Sequence, residues 1–145
     1  MLFSQIIGQE DIKKKLIQSV KENRVAHAQL FLGPEGTGKL ALAIAYAQYI
    51  NCTNKQENDS CGQCPSCKKF NNLAHPDLHF LFPNTTNKSI KKDPDSDLFL
   101  TEWREYLASC DCYASTSNWY NALEIENKQG IINVKDASTI IRKLN

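Results

Sequence analysis

Apolar residues recur along this chain with the period of a helix in several segments. The segment 9–23 has apolar residues on one helical face and lysines on the other. Its apolar residues are Ile12, Leu16, Ile17 and Val20. Helical spacing returns at 98–108, at 119–126 and at 134–144. We predict a helix in each of these segments, the one at 119–126 being short.

Two short apolar runs predict buried strands. Ala28–Leu32 is the first, and Leu78–Phe82, which ends at Pro83, is the second. The first run leads directly into a glycine-rich loop, and a run of strong helix formers at 41–50 follows that loop. Strand, loop and helix thus come in the order of a phosphate-binding unit. From this order we predict an α/β fold, a P-loop nucleoside triphosphatase with a parallel sheet flanked by helices.

The glycine-rich loop fits G-x-x-x-x-G-K-[ST] up to its last position, where Leu40 replaces the hydroxyl residue. Its glycines allow backbone N–H groups to surround phosphate oxygens, and Lys39 adds a positive charge for the distal phosphates. Leucine offers no lone pair to Mg²⁺, so we expect ATP or ADP to bind without a well-held Mg²⁺ and with little hydrolysis. The predicted nucleotide site consists of Gly33, Pro34, Glu35, Gly36, Thr37, Gly38, Lys39 and Leu40. The pattern also fits an ordinary strand-to-helix turn whose glycines serve geometry alone.

Four cysteines follow the predicted helix at the spacing C-x8-C-x2-C-x2-C. They are Cys52, Cys61, Cys64 and Cys67. Two overlapping C-x-x-C steps bring thiolates together, and the earlier cysteine completes a tetrahedron with no open position, which is typical of structural Zn²⁺. We predict a zinc knob at 51–70, a segment too polar to fold around a core of its own. A redox C-x-x-C pair, an iron–sulfur cluster and two disulfides are the alternatives.

Several other residues capable of chemistry are interpreted as structural. The C-x-C pair at 110–112 has no nearby ligand partner and is interpreted as two reduced thiols. His75 and His79 lie near the knob, but four cysteines already complete its coordination. Trp103 and Trp119 stand among leucines at helical spacing, so we expect core residues rather than platforms for bases.

Composition restricts the possible functions. The chain has 145 residues, 41% of them hydrophobic, and a formal net charge of +1, so no strong nonspecific attraction to nucleic acid is expected. The basic cluster 88–92 is followed at once by Asp93, Asp95 and Asp97 and is interpreted as a solvated loop. The sequence contains no secretory signal and no apolar run of about 20 residues. We therefore expect a cytoplasmic protein without a membrane partner.

The order of the segments indicates part of a longer chain. The sequence has no later strand that ends in the acidic residues with which phosphate-loop ATPases position Mg²⁺ and water. Two strands also make too small a sheet for a complete doubly wound domain. We interpret residues 1–145 as an N-terminal fragment of a nucleotide-binding domain, with the knob at 51–70 within it and an insertion at 84–126.

The motifs also occur in the order of a known family. Five segments resemble the start of the bacterial clamp-loader ATPases. They are Gly8–Glu10, Ala26–Phe31, the phosphate loop, Asn51–Cys52 and Cys61–Cys67. The resemblance is close from 2 to about 82 and resumes near 130–135. It implies an AAA+ module in which the knob cysteines bind Zn²⁺.

Two subunit types of that family share this layout, one called gamma or tau and one called delta prime. In the active ATPase a threonine follows the loop lysine, whereas Leu40 follows Lys39 here. The segment 75–80 also resembles that of delta prime. The resemblance then implies a delta prime type subunit of DNA polymerase III, with a structural role and no ATPase activity of its own. Its implied partners are the gamma/tau and delta subunits, the sliding clamp and, through the assembled complex, primed DNA. An active gamma/tau-type ATPase and an unrelated zinc-containing nucleotide-binding module are the alternatives.

Overall fold

The structure is a computed structural model that describes residues 1–125 and 128–144. The described chain contains six α-helices and a short 3₁₀ turn at Phe3–Gln5. The helices are α1 (Glu10–Lys21), α2 (Lys39–Asn51), α3 (Pro65–Asn71), α4 (Leu100–Ser109), α5 (Thr116–Ala122) and α6 (Val134–Leu144). The first of two units contains Met1–Leu78 and Asp111–Tyr113, and the second contains His79–Cys110 and the described part of Ala114–Asn145.

The central helix of the first unit is α2, which is apolar on nearly every side. Leu42 and Ile44 are both buried, and α1 and α3 pack against this helix. The amphipathic face of α1 buries Ile17. The lysines of α1 were expected on its exposed face, but Lys13 is buried. Its Nζ donates to the carbonyl of Ile6 at 2.6 Å. This lysine thereby ties the start of α1 to the segment before it.

The helices expected from apolar periodicity are confirmed, with shifted ends. The helix predicted at 119–126 is α5, which runs from Thr116 to Ala122; Glu126 lies outside the described residues. The short helix α3, which begins at Pro65 inside the knob, was not predicted by any periodicity. Among the described residues, no helix is long and apolar enough to cross a membrane.

The predicted α/β fold, a P-loop triphosphatase of the AAA+ type with a parallel sheet, is wrong for the described residues. Both predicted strands, Ala28–Leu32 and Leu78–Phe82, are irregular backbone. Leu30 and Leu32 are 85% and 87% exposed, so the first run is not buried between neighbours. The only β-pairing in the described chain is an isolated antiparallel bridge between Asn84 and Ile131. An apolar run is compatible with a strand, but a strand also needs hydrogen-bonding partners from other segments, and a local pattern cannot supply them.

The core of the second unit is aromatic. The ring of Phe82 stacks on Trp103 with centroids 4.3 Å apart, and Trp119 meets both rings edge-on. Trp119 Nε1 also donates to the carbonyl of Pro83 at 2.8 Å. Both tryptophans are buried, which confirms that they are core residues. The segment 84–126 supplies α4 and α5 to this unit, while its origin as an insertion stays a prediction.

A buried carboxylate fixes α6 within the second unit. Asp136 is 2% exposed, and its Oδ1 accepts from the N–H of Ser96 at 2.6 Å. Its Oδ2 accepts from Asn84 Nδ2 at 3.2 Å and from the N–H of Asn133 at 3.1 Å. Asn133 Oδ1 accepts in return from the N–H of Asp136 at 2.9 Å, so the two residues cap the start of α6 reciprocally.

Candidate functional site

The predicted phosphate loop, residues 33–40, leads directly into α2. Gly36 and Gly38 both have positive φ angles, 79° and 74°, which explains why glycine is used at these two positions. Gly38 is the N-cap of α2, and no side chain in the described residues caps this end. Thr37 Oγ1 donates to the carbonyl of Pro34 at 2.8 Å, and Lys39 Nζ donates to the same carbonyl. The side chain of Lys39 is therefore folded back onto the loop. It would have to leave the carbonyl of Pro34 to reach a phosphate.

A cavity of about 430 Å³ lies beside this loop. Its volume falls within the usual range of small-molecule pockets, about 300 to 1,000 Å³. The loop contributes Gly33, Pro34, Thr37 and Lys39 to the wall, while α1, α2 and the run before the loop contribute mostly apolar side chains. The other four predicted residues, Glu35, Gly36, Gly38 and Leu40, do not line it. The structure thus brings half of the predicted nucleotide site to one cavity.

The four predicted cysteine ligands converge in the first unit, with their sulfur atoms all within 4.8 Å of one another. Cys52 Sγ lies 3.6 Å from Cys61 Sγ and 4.0 Å from Cys64 Sγ, and Cys61 Sγ lies 3.9 Å from Cys67 Sγ. Sulfurs at about 2.3 Å from a tetrahedral zinc ion are about 3.8 Å apart, whereas a disulfide needs about 2.05 Å. The cluster therefore fits a metal such as zinc, and the described cysteines form no disulfide.

Backbone N–H groups point at the sulfurs of this cluster. Cys61 N–H donates to Cys52 Sγ at 3.4 Å, Cys64 N–H to Cys61 Sγ at 3.3 Å, and Cys67 N–H to Cys64 Sγ at 3.4 Å. The last bond also caps α3, which begins at Pro65 directly after Cys64. Each C-x-x-C step thus supplies a thiolate together with a donor that stabilises it.

The thiol pKa values respond to these donors and to burial. The N–H of Cys67 and hydrogen bonds from Thr53 lower the pKa of Cys64 to about 5. The N–H groups of Gln63 and Cys64 lower the pKa of Cys61. Burial raises the pKa of Cys67 to about 12. Metal binding would oppose that cost at Cys67, since a cation nearby favours the thiolate.

His75, the histidine that follows the four cysteines most closely in the sequence, is engaged elsewhere. His75 stacks on Phe70 with ring centroids 4.4 Å apart. Its Nε2 lies 3.1 Å from Ser66 Oγ, and its Nδ1 accepts from the N–H of Asp77 at 3.2 Å. Both ring nitrogens thus have protein partners, and the ring packs on the helix that carries Cys67.

Two residues at these sites had no signal in the sequence. Asp59, in the polar loop between the first two cysteines, accepts from the N–H groups of Phe3 and Ser4 at 3.0 and 2.9 Å. Tyr113, far along the chain, packs on Gly38 of the phosphate loop, and its hydroxyl accepts from the N–H of Ile7 at 3.1 Å. Both contacts join distant segments, which no local pattern encodes.

Known proteins resemble this chain over about half of its length. The DNA polymerase III subunit tau of Bacillus subtilis (strain 168) is 37% identical over 76 residues, which are 52% of this chain and 14% of that protein. The DNA polymerase III subunit delta' of the same organism is 38% identical over 84 residues, 58% of this chain and 25% of that protein. Protein STICHEL of Arabidopsis thaliana is 39% identical over 70 residues, 48% of this chain and 6% of that protein. The chain spans a quarter or less of the lengths of these relatives. No solved structure matches it.

The family match is longer than half of the chain. The sequence profile described as DNA polymerase III, delta subunit, matches residues 8–100. The predicted resemblance to subunits of DNA polymerase III is thereby confirmed, while the relatives include both a tau and a delta' subunit. This chain belongs to the DNA polymerase III delta-subunit family.

Proposed function

We propose that this chain is part of a delta prime type subunit of the clamp loader, which helps to place a sliding clamp on primed DNA during DNA replication. The family match and the names of the relatives support a role in DNA polymerase III. The partners proposed for it are the gamma/tau and delta subunits, the sliding clamp and, through the assembled complex, primed DNA. The proposal includes a cytoplasmic location for the protein.

The observation that carries the choice of subunit type is Leu40. It stands in the first turn of α2, directly after Lys39, where an active ATPase has a hydroxyl for Mg²⁺. The loop keeps its backbone amides, and the charge of Lys39 can reach a phosphate once its Nζ leaves the carbonyl of Pro34. The ion that neutralises charge during transfer, by contrast, has lost a ligand. The site Gly33–Leu40 therefore holds ATP or ADP weakly and does not hydrolyse it, and the subunit acts as a structural member of the complex.

Structural Zn²⁺ in the four-cysteine cluster is part of this proposal. The sulfur spacing, the three N–H donors and the absence of a disulfide among the described cysteines support it. A bound ion would hold Cys52, at the end of α2, to Cys64 and Cys67 at the start of α3. Its chemistry would be to fix these two helices together, with no open position for catalysis.

An active gamma/tau-type ATPase is the second candidate. It is favoured by the similarity to the tau subunit of Bacillus subtilis, which is nearly as high as the similarity to delta'. It would require a substitute Mg²⁺ ligand in place of Leu40.

The decisive test is ATP turnover by a clamp loader that contains the full-length protein, its clamp and primed DNA, with the phosphate-loop lysine of every partner ATPase replaced. We expect no turnover. Turnover that persists and disappears with Lys39→Ala would overturn the proposal and make the chain an ATPase. Leu40→Thr is the matched variant: restoring the hydroxyl should make nucleotide binding depend on Mg²⁺. Wild-type protein that binds no ATP or ADP would overturn the nucleotide site and leave the structural role.

A further inference from the structure

The phosphate loop is covered at one glycine by a tyrosine that the phosphate-loop pattern does not contain. Gly33, Pro34, Glu35 and Gly36 are exposed, whereas Gly38 is buried. A methyl group built on Gly38 would lie 2.8 Å from Cε1 and 3.2 Å from Cζ of Tyr113. The edge of the tyrosine ring therefore occupies the open side of this glycine at contact distance.

Tyr113 is held in this position at its far end. Its hydroxyl accepts from the N–H of Ile7 at 3.1 Å, so the ring bridges the segment before α1 and the start of α2. On the same stretch, Gln9 Nε2 donates to the carbonyl of Thr37 at 3.4 Å. The loop is thus held by the 7–9 segment directly at Thr37 and through the tyrosine at Gly38.

The two residues before Tyr113 have strained backbone. Asp111 and Cys112 both lie in the left-handed region, with φ angles of 47° and 61°, which non-glycine residues adopt rarely. Cys112 is also buried. The segment 111–113 belongs to the first unit, and the contact of Tyr113 with Gly38 is one of those that hold it there. Backbone in this region persists only where surrounding contacts hold it.

We propose that Tyr113 is a gate on the phosphate loop, and this inference rests on the nucleotide site proposed above. The ring fills the side-chain position of Gly38, next to the loop backbone whose amides would surround phosphate oxygens, and from there it hinders the approach of a phosphate. Nucleotide binding then requires the ring to leave Gly38 and Ile7, in addition to the release of Lys39 from Pro34. The apparent association constant for nucleotide is then the intrinsic constant multiplied by the fraction of open molecules.

The gate is tested by titration of the full-length, metal-loaded protein with a fluorescent ATP analogue. If about nine molecules in ten are closed, Tyr113→Ala should tighten binding about tenfold. Tyr113→Phe keeps the ring but loses the acceptor for Ile7, and its affinity should lie between those of the other two proteins. Tyr120→Ala, a tyrosine of the second unit, is the matched control and should leave the affinity unchanged. The gain in the Tyr113→Ala protein should vanish with Lys39→Ala.

The alternative results separate the two proposals. If wild-type binding depends on Lys39 but Tyr113→Ala binds equally or more weakly, the gate is overturned and the nucleotide site stands. If no variant binds the analogue, the nucleotide site is overturned and the gate with it. Should Tyr113→Ala not fold, Tyr113→Phe decides: hydrogen exchange at the Ile7 amide that accelerates with no change in affinity overturns the gate.

Discussion

Single residues in this chain owe their roles to contacts that lie far away in sequence. Asp95 is an example, because its side chain is only 15% exposed and its Oδ2 lies 2.7 Å from Lys135 Nζ. Burial opposes ionisation of this carboxyl, but hydrogen bonds from Lys135 and from the N–H of Leu98 outweigh it, and the pKa of Asp95 is lowered. The bridge ties the loop before α4 to the first turn of α6.

The lowered pKa of Asp95 predicts a pH-dependent contribution to stability. A carboxyl whose pKa is lower in the folded protein than in the unfolded chain stabilises the fold above its unfolded pKa of about 3.9. That contribution is lost as the pH falls through the folded value. Asp95→Asn should therefore lower the free energy of unfolding by about 1 kcal/mol or less at pH 7. Urea titrations at several pH values should show the difference disappearing as the pH falls below the ordinary range of an aspartate, and a difference that grows toward acid would contradict the assignment.

At the scale of elements, the burial of residues in α6 differs from what its apolar pattern predicts. The exposed side chains of this amphipathic helix include Val134 and Ile141, at 83% and 60%, while Asp136 is buried. The helix is positioned by hydrogen bonds to the carboxylate of Asp136 and by the Lys135–Asp95 bridge, rather than by these exposed apolar residues.

This arrangement predicts unequal costs for two substitutions in α6. Asp136→Asn keeps the shape but loses acceptor capacity for the N–H of Ser96 or Asn133, so unfolding of the second unit should become easier by about 1–3 kcal/mol. Val134→Ser, at an exposed position of the same helix, should change stability by no more than about 0.5 kcal/mol. Tryptophan fluorescence during urea unfolding measures both. Equal losses in the two variants would show that apolar packing, rather than the carboxylate, holds α6.

The sequence predicted the helices far better than the strands, for a physical reason. A helix satisfies its backbone within one segment, so the spacing of apolar residues in α1 is sufficient to identify it. The run Ala28–Leu32 is as apolar as a strand requires. Hydrogen bonding between strands, however, depends on other segments of the chain, which the residues of this run do not specify. The cysteine cluster was predictable because three of its ligands lie within seven residues of one another. Tyr113 and Asp59 were not, since each acts on a partner more than fifty positions away.

At the scale of the whole molecule, the four-cysteine cluster and the tryptophans lie in different units. All four candidate ligands belong to the first unit, and both tryptophans of the chain, Trp103 and Trp119, belong to the second. The cysteines are therefore sensitive to the state of the first unit, and the tryptophans to the state of the second.

This division predicts how the protein responds to metal removal. A strong chelator, or Cys64→Ser, should release one zinc ion per chain and reduce helical circular dichroism as α3 loses its support. Tryptophan emission should stay unchanged, because its environment is the aromatic core of the second unit. Metal analysis of the Cys110→Ser protein, altered at a cysteine outside the cluster, should still give one zinc ion. Unchanged zinc content in Cys64→Ser would contradict the four-cysteine site.

The packing of Tyr113 on Gly38 also bears on how this chain can vary during evolution. Glycine at position 38 is required twice, once by its positive φ angle and once by the ring that fills the space of a side chain. The requirement set by the tyrosine ring does not depend on whether the site binds a nucleotide. A lineage that had lost nucleotide binding altogether would still be selected to keep glycine at this position for as long as it kept the tyrosine.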